Sequence, residues 1–454
     1  MALMQKKLDT ALMPHELYAS VRRRFPDSVL LESAERDGRL SRYSFIGVEP
    51  EKTFTFKREG GRGVASFNCC DMETEDPLGL MRRLLQGERV SNAAPPGFMG
   101  GYIGYLSYEY VAELERRIRF AARPSDFPLM EFGLFLDGIR INNRTGEAYY
   151  ISLGPDRSGE VESAIAQGPQ GAAKPLRLGA RKCSFTQPEF EEAVRKIKGH
   201  IMAGDIFQAV LSKQYEMQFS GDLLDFYFRL REMNPSPYMY FLKFGGRQII
   251  GGSPENLIRV ENGEITSFAT LAGTRPRGRN QDEDAALERE LLADPKEQAE
   301  HRMLVDLTRN DVGRVAETGT VEAGPLMQIL KFSHVQHIMS QVSAHLGDGL
   351  DAFDALKAIF PAGTLSGAPK VRAMEILAAL EPVARGPYGG AVGYFGFNGN
   401  ADFGICIRTA VANGNTLYVQ SGAGIVADSV PAKEYAETEH KAGAMMNALE
   451  ASAQ

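Results

Sequence analysis

Up to about residue 150, short apolar runs alternate with polar turns: Ser28-Val-Leu-Leu-Glu-Ser, Tyr102-Ile-Gly-Tyr-Leu, Gly133-Leu-Phe-Leu-Asp and Ala148-Tyr-Tyr-Ile-Ser. Runs of this length bounded by turn residues predict strands. The pattern lapses between Gly154 and Gly179, where Gly, Pro, Ala and Ser dominate. Residues 154–182 are therefore the expected linker between an N-terminal region, 1–153, and a second domain, 183–454. From Thr186 the period becomes helical: Phe190, Ala193, Val194 and Ile197 predict an amphipathic helix to Ala203, and Gly204-Asp205 leads into a strand starting at Ile206. Further strands are predicted over 237–244, 248–251, 257–260, 391–397, 406–412 and 416–420, and helices over 283–292, 295–308, 353–359, 368–380 and 431–449. Strands and helices interleave without a regular βαβ rhythm. The expected class is α+β, a large β-sandwich-like core with helices packed outside.

A chain of 454 residues can bury a large core. Its formal net charge of −7 argues against a nucleic-acid partner, and no apolar run is long enough to span a membrane. The start, MALMQKKLDTALMP, lacks the continuous apolar segment of a secretory leader. The 4 cysteines, two of them adjacent (Cys69 and Cys70), form neither a disulfide framework nor a CxxC metal motif, so a cytoplasmic location is expected. Tryptophan is absent altogether.

Three features bear on chemistry. Phe360 to Glu375 reads FPAGTLSGAPKVRAME, a Gly/Ser/Thr-dense turn ahead of a helix, which suits an anion; Gly367 is followed by Ala368 and Pro369 rather than Lys, so a nucleotide phosphate loop is not indicated. Gly422-Ala-Gly-Ile-Val-Ala fits G-x-G-x-x-A, but the next helix starts near Pro431, too late for a dinucleotide fingerprint; a tight turn offering N–H groups to a carboxylate is the alternative. Finally, at about 100° per residue, Glu297 and Glu300 share a helix sector with Met303, Leu304 and Leu307. Glu434, Glu437 and Lys441 likewise share one with Ala444, Met445 and Ala448. Two E-x-x-E pairs on faces expected to turn inward, without His or Cys, suit a hard divalent ion such as Mg²⁺; two solvated helix ends are the plain alternative.

These residues lie in longer strings: Asn234-Pro-Ser-Pro-Tyr-Met, Gly252-Ser-Pro-Glu-Asn, Leu271-Ala-Gly-Thr-Arg-Pro-Arg-Gly, Glu300-His-Arg-Met-Leu-Val-Asp, Ser333-His-Val-Gln-His and Gly363-Thr-Leu-Ser-Gly-Ala-Pro-Lys. Together they resemble the chorismate-utilising enzymes, and most closely the anthranilate synthase large subunits, from about Ser184 to the C-terminus. The N-terminal third matches more loosely, through Leu30-Leu-Glu-Ser and Gly100-Gly-Tyr-Ile-Gly-Tyr. The resemblance implies Mg²⁺ held by Glu300 and Glu437, with Glu297 and Glu434 beside them. It also implies a substrate carboxylate on Arg408, Tyr388, Lys441 and the backbone near Gly422 and Gly424, with Thr364 in contact. Glu255 is the implied general acid at the departing ring hydroxyl, and His337 a neighbour of that oxygen, one turn from His334 if the segment is helical. Arg408, in the apolar run Ile405-Cys-Ile-Arg-Thr, is expected on a strand.

Two positions select among family reactions. Family members that add water carry a Lys where this chain has Gln208, and members that stop at the aminodeoxy product carry a nucleophilic Lys where it has Ala272. Lys213, five residues beyond Gln208, is not expected to replace the missing base. What remains is ammonia addition and pyruvate elimination to give anthranilate. No Gly-x-Cys-x-Gly motif occurs, so a separate glutamine amidotransferase subunit is the expected ammonia source. Leu31, Glu32 and Ser33, with Asn234, Pro235, Ser236, Pro237, Tyr238 and Met239, resemble the family's pocket for inhibitory tryptophan. An aminodeoxychorismate or aminodeoxyisochorismate synthase, and a non-catalytic chorismate- or tryptophan-binding subunit, are the alternatives.

Overall fold

A computed structural model describes residues 3–34, 42–86, 97–120, 125–169, 174–267, 272–324, 326–331 and 335–453. Leu271, Ser333 and His334, from two of the strings above, lie outside the described residues.

Two large antiparallel sheets form the core, a 13-stranded and an 11-stranded one among the described residues, with a small 3-stranded sheet beside them. In the strand Tyr238–Phe244 successive side chains serve opposite faces. Tyr240, Leu242 and Phe244 join the cluster with Val29, Ile103, Tyr105 and Val392, drawn from both sheets, while Met239 and Phe241 face a cluster that includes the helices Pro14–Arg24, Leu224–Met233 and Pro431–Ser452. This period-2 alternation with both faces apolar is what a strand inside a covered sandwich requires. The helix Gln187–Met202 packs Phe190, Val194 and Ile197 with Ala373 and Leu377 of Lys370–Leu380 onto Ala209 and Leu211 of the strand Gln208–Ser220. The α+β sandwich expected from the interleaved pattern is the observed fold.

The N-terminal region and residues 183–454 share both sheets. Val29–Glu32, from the N-terminal region, pairs with Tyr238–Phe244, and Gly101–Leu106 pairs with Ala391–Gly396, so each sheet takes strands from both sides of the 154–182 segment. That segment is a mostly exposed connection across one core, and it contains the helix Ser158–Gln167. Composition detects where the chain runs over the surface; it carries no information on which distant strands pair.

Three local readings change. The strand expected over 406–412 starts only at Thr409 and runs to Asn413; residues 406–408 connect it to the strand Ala401–Ile405, with Arg408 at the corner at φ 49°. Gly422 and Gly424 do not form a turn: they sit inside the strand Thr416–Ile425, opposite Ser212 and Val210. The helix expected from Ala368 starts at Lys370, because Gly367 and Ala368 pair with Ala209 and Gln208; Gly367 has φ 139°, and a Cβ there would lie 2.2 Å from the Gln208 carbonyl oxygen.

Candidate active site

Four elements meet at the start of the strand Gln208–Ser220. The short helix Gly363–Ser366 presents Thr364, whose hydroxyl donates to Glu255 Oε1 at 3.0 Å. Glu255 precedes the strand Asn256–Glu261, and its backbone is fixed by the Ser253 hydroxyl accepting its N–H at 3.2 Å and by Ile405 N–H donating to its carbonyl at 3.0 Å. Its side chain is buried, and burial pushes its carboxyl up to about 7, against the opposing effects of Thr364 and Arg408. Arg408 faces the same place: burial lowers its guanidinium, and Glu255 is the charged group that offsets this.

Gln208 Nε2 donates to Glu300 Oε1 at 3.0 Å, linking the 208–220 strand to the helix Pro295–Gly313. Gly424 makes room for this amide, since a Cβ there would lie 2.6 Å from Gln208 Nε2; at Gly422 a Cβ would lie 3.1 Å from the Tyr388 hydroxyl. The Gly422 carbonyl accepts from Lys441 Nζ at 3.0 Å. His337 does not lie on a helix. It is in the strand Val335–Met339, its Nδ1 is 2.9 Å from the Gly273 carbonyl oxygen, and burial, with Arg408 and Lys441 acting in the same direction, keeps its imidazole below its usual pKa. The backbone of Ala272 pairs with Ile338 one residue on.

Glu297, Glu300, Glu434 and Glu437 are not gathered into one cluster; among the described residues no three His, Cys, Asp or Glu side chains are placed to hold a metal ion. Instead Glu300 accepts from Gln208, Glu437 pairs with Lys441 at 2.7 Å, and Arg275 lies 3.6 Å from Glu297. The inward orientation expected for Glu437 and Lys441 is corrected: both are about half exposed, at 47% and 53%. The buried stripe of the 431–452 helix runs through Thr438, Ala442, Met445, Met446, Ala448 and Leu449; it keeps the expected Met445 and Ala448 but continues toward the N-terminus through Ala442 and Thr438, not through Lys441 and Glu437. Burial and the neighbouring acid push the carboxyls of Glu297 (beside Glu300) and Glu434 (beside Glu437) above their usual range; Lys296 of the facing helix opposes this at Glu434.

Lys213 is excluded from this site by parity. Lying an odd number of residues beyond Gln208, it points to the opposite face of the strand, where it pairs with Glu439 and sits 3.5 Å from the centre of the Tyr435 ring.

A second cavity, of about 200 Å³, is lined by Leu31, Glu32, Pro237, Tyr238 and Met239 together with Arg42, Phe98, Arg140, Arg259, Tyr394 and Asp402. Ser33, Asn234, Pro235 and Ser236 do not line it. The Ser236 carbonyl accepts from Ala34 N–H, Ser33 N–H donates to the Ser44 hydroxyl, and Asn234 ends the helix Leu224–Met233.

The sequence reading missed Arg385. It is fully buried, forks onto Glu381 at 2.7 and 2.8 Å, donates to the carbonyls of Leu365 and Val210, and lies 4.2 Å from the Tyr108 ring centre. Glu381 in turn accepts from the N–H and hydroxyl of Ser212. Arg385 thus ties the turn carrying Thr364 to the strand carrying Gln208. The i,i+4 spacing of Glu381 and Arg385 across a helix end was the only sequence trace of this pair.

A model of the chorismate binding enzymes matches residues 27–447. The chain belongs to this family. Anthranilate synthase component 1 of Methanothermobacter marburgensis is 47% identical over 438 residues, covering 96% of this chain and 93% of that protein. The structure of anthranilate synthase component I from Streptococcus pneumoniae superposes with a TM-score of 0.77 at 35% identity, covering 89% of this chain and 92% of the other. The menaquinone-specific isochorismate synthase of Escherichia coli also superposes with a TM-score of 0.77, at 19% identity over 99% of this chain and 94% of its own, a likeness of fold alone. With one fold spanning such different names, the reaction must be read from the site.

Proposed function

We propose that this protein is the large subunit of an anthranilate synthase, acting in a reducing cytoplasm to convert chorismate and ammonia into anthranilate and pyruvate. The observation that carries this reading is the pair Glu255 and Gln208. Glu255 is a buried carboxyl whose pKa of about 7 lets it hold a proton at neutral pH for the departing ring oxygen. Gln208 is an amide held by Glu300, where a water-activating amine would stand in the hydroxylating members. Arg408, Lys441 and the Tyr388 hydroxyl are suited to a carboxylate of the substrate, and a neutral His337 can donate to or accept from the same oxygen as Glu255. Thr364 completes the contact from the opening turn.

Mg²⁺ fits the donor chemistry of Glu297, Glu300, Glu434 and Glu437: all four offer carboxylate oxygens, and two of them are pushed up by the burial and like charge that a divalent cation would relieve. Once bound, the ion would neutralise and orient the ring carboxylate. The names "component 1" and "component I" of the relatives support a partner that delivers ammonia, for which a glutamine amidotransferase subunit is the natural chemistry. The 200 Å³ cavity supports an inhibitory tryptophan site walled by Leu31, Glu32, Pro237, Tyr238 and Met239. All 4 cysteines are free, and among the described residues no helix is long and apolar enough to cross a membrane.

Incubation with chorismate, Mg²⁺ and ammonium, followed by anthranilate fluorescence and product identification, tests the reading. Anthranilate is expected, with turnover suppressed by tryptophan. An aminodeoxy product, or none, would overturn the assignment; product insensitive to tryptophan would remove only the inhibitor site.

A further inference from the structure

The 200 Å³ cavity and the Glu255 site share a wall one hydrogen bond thick. Tyr238 lines the cavity, and its hydroxyl donates to Asp402 Oδ1 at 2.8 Å while accepting from Asn256 Nδ2 at 2.7 Å and from Arg259 Nη2 at 3.2 Å. Arg259 and Asp402, joined at 2.8 Å, line the same cavity. Asn256 does not. It lines a smaller cavity of about 20 Å³ together with Glu255 and Thr364. The Tyr238 side chain packs against Gly404, where a Cβ would sit 2.9 Å from Cγ of the ring, and Gly404 is the register partner of Asn256. Ser253, which accepts the Glu255 N–H, is the register partner of Tyr238 in the adjoining strand. The backbone carrying Glu255 is therefore held on both sides by positions tied to Tyr238. A partly buried network of this kind, with every member bonded, has a small set of discrete arrangements.

We propose that the Tyr238 hydroxyl is a positioning group for Glu255, acting through Asn256, and that what fills the large cavity acts on the reaction by disturbing this bond. The proposal rests on the reading of the cavity as a tryptophan site, and it adds the route by which that site reaches the chemistry. A ligand packed against the Tyr238 ring shifts its hydroxyl; Asn256 Nδ2 loses its short 2.7 Å acceptor and falls back on the longer contacts to Asp402 Oδ1 and the Phe403 carbonyl, both at 3.4 Å, and the Ser253–Asn256 stretch no longer sets Glu255 against Thr364. Coupling between two ligands is reciprocal, so chorismate must weaken tryptophan by the factor that tryptophan weakens chorismate.

The test is the ratio of tryptophan dissociation constants with and without saturating chorismate and Mg²⁺. Because the chain itself has 0 tryptophan residues, indole fluorescence reports the ligand alone. The parent protein is expected to show a ratio of at least about tenfold, within the usual range of allosteric coupling. Tyr238→Phe, which removes only the hydroxyl, should still bind tryptophan but lower the ratio below about threefold, and Asn256→Ala, which breaks the same bond from the other side and does not line the cavity, should do the same. A parent-like ratio in either variant overturns the proposal, and so does loss of tryptophan binding in both, which would make the bond a support of the cavity and not a relay. Failure of the parent to bind tryptophan at all instead overturns the cavity reading, together with the route built on it.

Discussion

Thr364 donates its hydroxyl to a carboxyl, Glu255, that is buried enough to keep its proton to about pH 7. The unfolded chain would release that proton near the ordinary carboxyl value of 4.5, so between these two pH values the native state binds more protons and stability falls as pH rises. Glu255→Gln keeps the shape and cannot ionise. Its unfolding free energy should match the parent near pH 4.5 and exceed it at pH 8 to 9 by on the order of 3 kcal/mol, read by urea titration. Turnover should fall by about 10²- to 10⁴-fold, as expected for a lost general acid. Equal stability at high pH would show that Glu255 is not a buried neutral acid.

Gly424 decides where the Gln208 amide can lie. A methyl at Gly424 would meet the far end of a flexible side chain, 2.6 Å away, so the backbone needs no change and the fold should persist. Gln208 would have to swing off Glu300. Gly424→Ala should therefore keep a melting temperature within a few degrees of the parent while kcat/KM for chorismate drops at least about tenfold. Unchanged kinetics would mean that the position of Gln208 is immaterial.

Much of this site was legible because its strings are local: Glu255, Thr364 and Glu300 each sit where a turn or a helix start can be read from the residues around them. What was missed depended on geometry between strings. The apolar run Ile405-Cys-Ile-Arg-Thr reads as one strand, because alternation does not reveal a single residue at φ 49°. Around the 431–452 helix, Ala and Met residues surround the apolar face so evenly that a 100° wheel cannot distinguish adjacent sectors, and Glu437 was placed one sector too far inward. Asn256 stood beside Glu255 in a recognised string, yet its partner Tyr238 is reached only by strand pairing.

The E-x-x-E helices make a direct prediction about metal. The Glu437–Lys441 ion pair is half exposed, and such pairs contribute about 0–1 kcal/mol, too little to hold Glu437 against a divalent cation. Chelation should abolish turnover and added Mg²⁺ should restore it. Glu300→Gln and Glu437→Gln should each raise the Mg²⁺ concentration for half-activity by at least about tenfold, with Glu300 the larger because the neutral amide also weakens the charge-assisted hydrogen bond that anchors Gln208. Parent-like Mg²⁺ titrations in both variants would refute the assignment.

Arg385 carries the last prediction, which concerns the frame that holds the site. Its guanidinium is matched by a bidentate carboxylate and two carbonyls, so removing it strands the buried Glu381 charge and leaves the carbonyls of Val210 and Leu365 unpaired. Arg385→Met should cost about 3–5 kcal/mol in urea unfolding, the range for breaking one half of a buried pair. Glu381→Met alone should also be costly, because Ser212 loses its acceptor. The cost of the double variant should fall short of the sum of the two single-variant costs by about 1–3 kcal/mol, since each single variant strands a buried partner and the double variant strands neither. Strict additivity would mean that the carbonyls, and not Glu381, are the partners that matter to Arg385.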